Sequence, residues 1–174
     1  MADWMTAEIW IGGKLPRQLV PEMPIEGLWT DWYGTPCVVD PDKLMEIANE
    51  NNGYLHLIDV EAPYGELPEL EEWLQQHELP FRRFSDGKYE HDTVIVESRP
   101  DLENWPWRRQ LASKAGNPLT DATAIAAVLQ RMKPFVDAEK PPSFEEWLKF
   151  RKVYEELRSA VPEPFPPMPK FEIV

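Results

Sequence analysis

The apolar positions of this chain change period several times, and each change marks an element. From Tyr54 to Glu61 the sequence YLHLIDVE is almost continuously apolar after Gly53. Leu55 and Leu57 fall on one face, and Tyr54, His56, Ile58 and Val60 on the other, which predicts an inner strand covered on both sides. Leu67, Leu70, Trp73, Leu74 and His77 then recur at helical spacing. Pro68 is tolerated in the first turn of that helix, where its missing N–H would have had no partner. Pro80 stops the helix, and Phe81-Arg82-Arg83-Phe84 resumes as strand. Residues 54–84 therefore predict one βαβ crossover, right-handed and parallel if both strands share a sheet.

The flanking segments carry similar signals. Glu8–Ile11 reads as a first strand ended by Gly12-Gly13, and Leu15, Leu19, Val20 and Met23 as a short helical stretch cut by Pro21 and Pro24. Residues 28–39 predict a hairpin or two short strands about Gly34-Thr35-Pro36, with Trp29, Trp32 and Tyr33 in the core or on a sheet face. Asp40 and Pro41 open a helix with Leu44, Ile47 and Ala48 inward, and Asn51-Asn52-Gly53 closes it. Thr93–Glu97 is a strand by β preference, and the alternation Trp105, Trp107, Arg109, Leu111 predicts an edge strand beside Pro106.

Two helices follow. One is capped by Thr120 or Asp121 and runs to Pro134, and the other opens on a Ser143/Glu146 capping box. The tail has five prolines between Pro162 and Pro169 and is expected to lie extended over its own domain. Phe165, Met168 and Phe171 are its anchors, with Phe171–Val174 as a final strand. The expected fold is α+β: a mixed β-sheet of about five to seven strands containing the crossover, helices packed on it, and a C-terminal helical pair. Residues 1–161 are read as a single domain, 121–161 as its helical pair, and 162–174 as the Pro-rich tail.

Composition adds one strong feature. The net charge is −13, and it is confined. Residues 1–80 hold 16 acidic and 3 basic side chains, whereas residues 81–174 hold 15 of each. Residues 40–80 carry 11 acidic side chains against Lys43 alone. Such a surface disfavours direct binding to nucleic acid or to anionic membranes, because phosphate contacts need clustered Lys and Arg. It favours a basic protein surface. No apolar run approaches the roughly 20 residues of a membrane span, and MADWMTAEIW lacks a basic and apolar leader pattern, so a cytoplasmic location is expected. The single cysteine, Cys37 in an apolar run, reads as a buried, inert thiol.

Catalytic signals are weak. Gly12-Gly13-Lys14 lacks the spacing of a phosphate loop, and none of the five serines sits in a nucleophile elbow. No cofactor is expected. The sequence therefore favours a non-enzymatic acidic protein-binding module, with Asp42, Glu46, Glu50, Glu66, Glu69, Glu71 and Glu72 as its contact surface. One form of it would be an inhibitor that occupies a basic, nucleic-acid-binding surface of a partner. The alternative is a small metal-assisted hydrolase with Asp59, Glu61, His91 and Asp92, and Glu90 beside them, at the end of the central strands. Asp59 and Glu61, two apart, would share a face of a regular strand.

Overall fold

Strand β1 (Trp4–Ile11) alternates exposed or half-buried positions with Met5, Ala7, Ile9 and Ile11, all buried, and the larger unit is built around it. The computed structural model describes residues 3–88, 91–120, 122–137, 141–161 and 166–174. The chain forms two compact units, residues 1–118 with 167–174, and residues 119–166.

In the first unit, β3 (Leu55–Pro63), β4 (Phe81–Ser85), β5 (Val94–Ser98) and β6 (Trp107–Leu111) join β1 in a five-stranded sheet of order β3-β1-β4-β5-β6. Every neighbouring pair is antiparallel. The helix α2 (Pro68–Gln76) connects β3 to β4, which are parallel to each other with β1 inserted between them. The crossover of residues 54–84 is thus a split βαβ unit. The only parallel pairing among the described residues is a separate two-stranded sheet of β2 (Lys14–Leu15) and β7 (Glu172–Ile173).

Two readings of β3 are corrected. It is an edge strand, not an inner one, because β1 takes its place beside β4. Its apolar outer edge is covered by Trp29, whose N–H donates to the Ile58 carbonyl at 2.8 Å and whose carbonyl accepts from Ile58 at 2.9 Å. The strand is also irregular at its end. Ala7 stands opposite Asp59 and Met5 opposite Ala62, so β3 carries one extra residue there. Asp59 Oδ1 accepts the Glu61 N–H at 2.8 Å and closes this bulge, so the regular alternation assumed for the two carboxylates is lost.

Three rows of side chains cross one face of the sheet: Leu55–Ile11–Phe81–Ser98–Trp107, Leu57–Ile9–Arg83–Val96–Arg109 and Asp59–Ala7–Ser85–Val94–Leu111. Their apolar members on β1, β3, β4 and β5 meet Leu70 and Leu74 of α2 and Leu44 and Ala48 of α1 (Pro41–Glu50) in one core, while Trp107 and Leu111 of β6 stay exposed. The opposite face is mixed, with the row His56–Trp10–Arg82–Glu97–Arg108. There His56 stacks on Trp10 with centroids 4.7 Å apart and meets Glu8 Oε2 at 3.0 Å.

Capping follows the sequence. Asp40 accepts from the amides of Asp42 and Lys43, Pro41 opens α1, and Asn52 and Gly53 turn the chain with positive φ. Residues 17–22 form a short 3-10 helix. The expected hairpin over 28–39 reduces to a bridge between Trp29 and Pro36 around a turn held by Asp31, whose carboxylate accepts from the amides of Tyr33 and Thr35 and from the Thr35 hydroxyl. With no ladder to bury them, Trp32 and Tyr33 are exposed, Tyr33 at 97%, contrary to their assignment as core.

The tail docks on its own unit. Phe171 is buried, its N–H donates to Gly53 O at 2.8 Å, and Val174 accepts from Arg17 and donates to Leu15. Tyr54 Oη donates to Met168 O at 3.1 Å, and Lys170 Nζ lies 4.2 Å above the Tyr54 ring. Gly12 permits this approach: a Cβ there would overlap the Pro169 carbonyl oxygen. Phe165, the other expected anchor, and Asp121, the alternative cap, lie outside the described residues.

The second unit is the helical pair α3 (Ala122–Val136) and α4 (Phe144–Ala160). Val128 and Val153 are buried there, Phe135 and Phe150 meet edge to face at 5.7 Å, and Arg131 forks onto Glu156. The Ser143/Glu146 capping box is present. Helix α3 continues past Pro134 to Val136, because a proline this close to the end removes a single ladder bond and Asp137 N–H still reaches Lys133 O.

Candidate functional site

The acidic residues of α1 sit on its outer face. Asp42, Glu46 and Glu50 are exposed. Asp42 faces Arg17 at 3.7 Å, and Glu46 accepts from Lys43 Nζ at 2.7 Å, which raises the Lys43 pKa above its ordinary value. In and before α2, Glu66, Glu69 and Glu72 are exposed, with Glu72 taking the Gln76 amide.

Glu71 differs from its neighbours. It is half-buried; its Oε1 lies 2.6 Å from Arg83 Nε and accepts the Leu67 N–H at 3.1 Å. It braces the helix start and the sheet, so little of it is left for a partner. The helical period explains this: Glu71 follows Leu70 and precedes Leu74 toward the sheet, whereas Glu69 and Glu72 turn to water.

The arginines of the later strands do little to neutralise residues 40–80. Arg83 does so through Glu71. Arg82 instead approaches Glu97 and donates to Gly116 O, and Arg108 stands opposite Glu97 on the face away from α2. Arg109 has no ion pair among the described residues.

The residues proposed for a metal are dispersed into other roles. Asp59 closes the β3 bulge and Glu61 is exposed beyond it. His91 Nε2 lies 3.1 Å from Asp3 Oδ2 and its ring meets Tyr64 edge to face. Asp92 is exposed. Among the described residues no group of three or more His, Cys, Asp or Glu side chains is placed to hold a metal ion. Glu90 lies outside the described residues. His77 packs on Trp73 at 4.4 Å, as a helix-stripe residue would.

What the sequence reading missed is Arg83. It is 4% exposed, in the middle row of the covered face, and its Nη1 donates to Gly65 O and Ser85 Oγ. Its Nε, although close to Glu71, is not aligned for a hydrogen bond. The guanidinium forms one wall of a cavity of about 210 Å³ that it shares with Ser85, Arg109, Tyr64, Glu66, His91 and Asp92. The signal was available: Arg83 has the same strand parity as Phe81, so burying one buries the other.

Cys37 is half-buried, and burial pushes its thiol up to about 11, so the thiolate is scarce at neutral pH. No helix among the described residues is long and apolar enough to cross a membrane. No protein-family model matches the chain, and no curated protein or solved structure matches it significantly.

Proposed function

We propose that the chain is a non-enzymatic protein-binding module that presents the carboxylates of α1 and α2 to a basic surface of a partner. Asp42, Glu46, Glu50, Glu66, Glu69 and Glu72 form the contact set, and Glu71 stiffens it from below. Spaced carboxylates on two short helices can stand in for the phosphates of a nucleic acid, so the partner class is a nucleic-acid-binding protein whose cleft the module blocks.

The observation that supports this reading is the limited internal neutralisation of the region. Residues 40–80 keep Glu50, Glu66, Glu69, Glu72 and Glu78 without an ion pair among the described residues, while Arg82 spends its charge on the far side of the sheet. A field of that kind accelerates encounter with a cationic surface and is screened by salt.

The test is affinity capture with quantitative mass spectrometry, using the wild type and a Glu50→Lys/Glu69→Lys/Glu72→Lys variant. The wild type is expected to enrich basic nucleic-acid-binding proteins at low salt, to lose them as the Debye length shrinks from about 8 Å to about 3 Å, and to lose them on charge reversal. Equal capture by both proteins, or capture indifferent to salt, overturns the proposal.

A further inference from the structure

Within the first unit, the β5–β6 end of the sheet and helix α2 come together without filling the space between them. A cleft of about 630 Å³ opens there, lined by Glu71, Gln75, Ser98, Pro100, Trp105 and Trp107. Its volume lies within the range of small-ligand pockets. We propose that this cleft is a binding site for a neutral saccharide, held between two indole rings. The proposal is independent of the acidic surface.

Four observations support it. First, both tryptophans are large apolar groups left 55% exposed, on a rim rather than in the core. Second, their loop is strained and braced. Asn104 and Trp105 both have positive φ, 66° and 46°, a conformation costly for a bulky residue. Arg99, 2% exposed, clamps Asp101 through Nε and Nη2 at 2.8 and 2.7 Å. The amides of Arg99 and Trp105 close the loop onto Pro106 O and Leu102 O. A loop braced by a buried guanidinium and closed by backbone bonds around a tryptophan of unfavourable conformation suits a preorganised clamp.

Third, the floor offers an unused polar group. Ser98 is 7% exposed, lines the cleft, and its hydroxyl makes no hydrogen bond among the described residues. Gln75 adds an amide with both donor and acceptor, while Glu71 at the cleft wall is already engaged by Arg83 and the Leu67 N–H. Fourth, the lining holds no cation among the described residues, which disfavours phosphorylated or carboxylated ligands in a chain of net charge −13.

Together these features select the ligand. Indole faces take the C–H faces of a ring, and a hydroxyl and an amide take hydroxyls as donors and acceptors. A proline-rich peptide also offers apolar rings, but its prolines have no N–H, so it would leave the acceptors of Ser98 and Gln75 without donors.

The test is an NMR titration of the full chain, following the two indole N–H signals. Neutral probes are glucose, galactose, mannose, N-acetylglucosamine and their β-linked disaccharides, each at millimolar concentration, with a proline decapeptide in parallel. At least one saccharide is expected to shift Trp105 and Trp107 saturably and to leave Trp32 unmoved. Trp105→Gly suits the positive φ and so keeps the fold while removing one wall, with binding expected to weaken at least about tenfold. Ser98→Ala is expected to weaken binding by a smaller factor. No saccharide response, a response to the decapeptide alone, or unchanged binding by Trp105→Gly would each overturn the proposal.

Discussion

Arg83 and Glu71 meet across the boundary between β4 and α2, with Nε and Oε1 2.6 Å apart, and each lines a different cavity. The pair is therefore a partition wall as well as a tie between helix and sheet. Removing one partner leaves the other charge buried. Glu71→Ala is expected to lower stability by about 3 kcal/mol, because a desolvated guanidinium loses its counter-charge. Glu69→Ala and Glu72→Ala, on the exposed side of the same helix, are expected to stay within about 0.5 kcal/mol of wild type. Urea denaturation of the three variants checks the contrast.

The docked tail makes a second prediction. Gly12→Ala places a methyl group against the Pro169 carbonyl, and the backbone on both sides is hydrogen-bonded, since Gly12 N–H donates to Pro80 O at 2.9 Å and Gly13 donates to Pro169 O and Lys170 O. The tail must shift, which loosens Phe171 and the β2–β7 pairing. A loss of about 2 kcal/mol is expected, together with faster amide exchange at Phe171 and Glu172. Gly27→Ala is the control. It meets nothing within 4 Å and carries only the penalty of its positive φ of 86°, about 1 kcal/mol.

Much of this fold was legible in the sequence because its signals were local. Asp40-Pro41, Ser143 with Glu146, and Asn52-Gly53 specify helix ends through hydrogen bonds made within a few residues. The edge position of β6 followed from Pro106, a residue without a donor. Non-local order was not legible. Nothing in Leu55–Val60 says that β1 will come between β3 and β4, and a strand edge sealed by Trp29 reads like a buried one. The acidic surface was legible as composition, but not the exception within it. Glu71 looks like its neighbours until the arginine that faces it is known. Trp32 and Tyr33 misled for the converse reason, since bulk predicts burial unless a short turn such as that of Asp31 holds the rings out.

That turn has a defined acid limit. The Thr35 hydroxyl, with the amides of residues 33 to 35, holds the Asp31 carboxyl below the usual carboxylate range. A folded-state pKa below the unfolded one contributes stability above the unfolded value and loses it as pH falls through the folded value. The turn is therefore expected to stay ordered at pH 5 to 7 (about the range of native carboxylate ionisation) and to loosen only in more acid solution. Trp32 emission and the Thr35 amide shift, followed through an acid titration, report the transition. Asp31→Asn is expected to flatten it.

Cys37 gives a chemical check on burial. With its thiol near 11, the reaction with iodoacetamide at pH 7.5 is expected to be at least about tenfold slower than that of a free cysteine, whose pKa is about 8.5, and to approach it in denaturant. A reaction at the free rate in native buffer would show that the loop around Leu28 and Cys37 opens readily.

The docking of residues 167–174 has a further implication for how the chain acquires its shape. The segment that seals β2 and Gly53 is made after the helical pair of residues 119–166 has been threaded through the ribosome. The earlier unit must wait, with Leu15 and the Phe171 cavity open, until that segment emerges. The seam therefore closes later in synthesis than the sheet, and the waiting state is the one most exposed to association with other nascent chains.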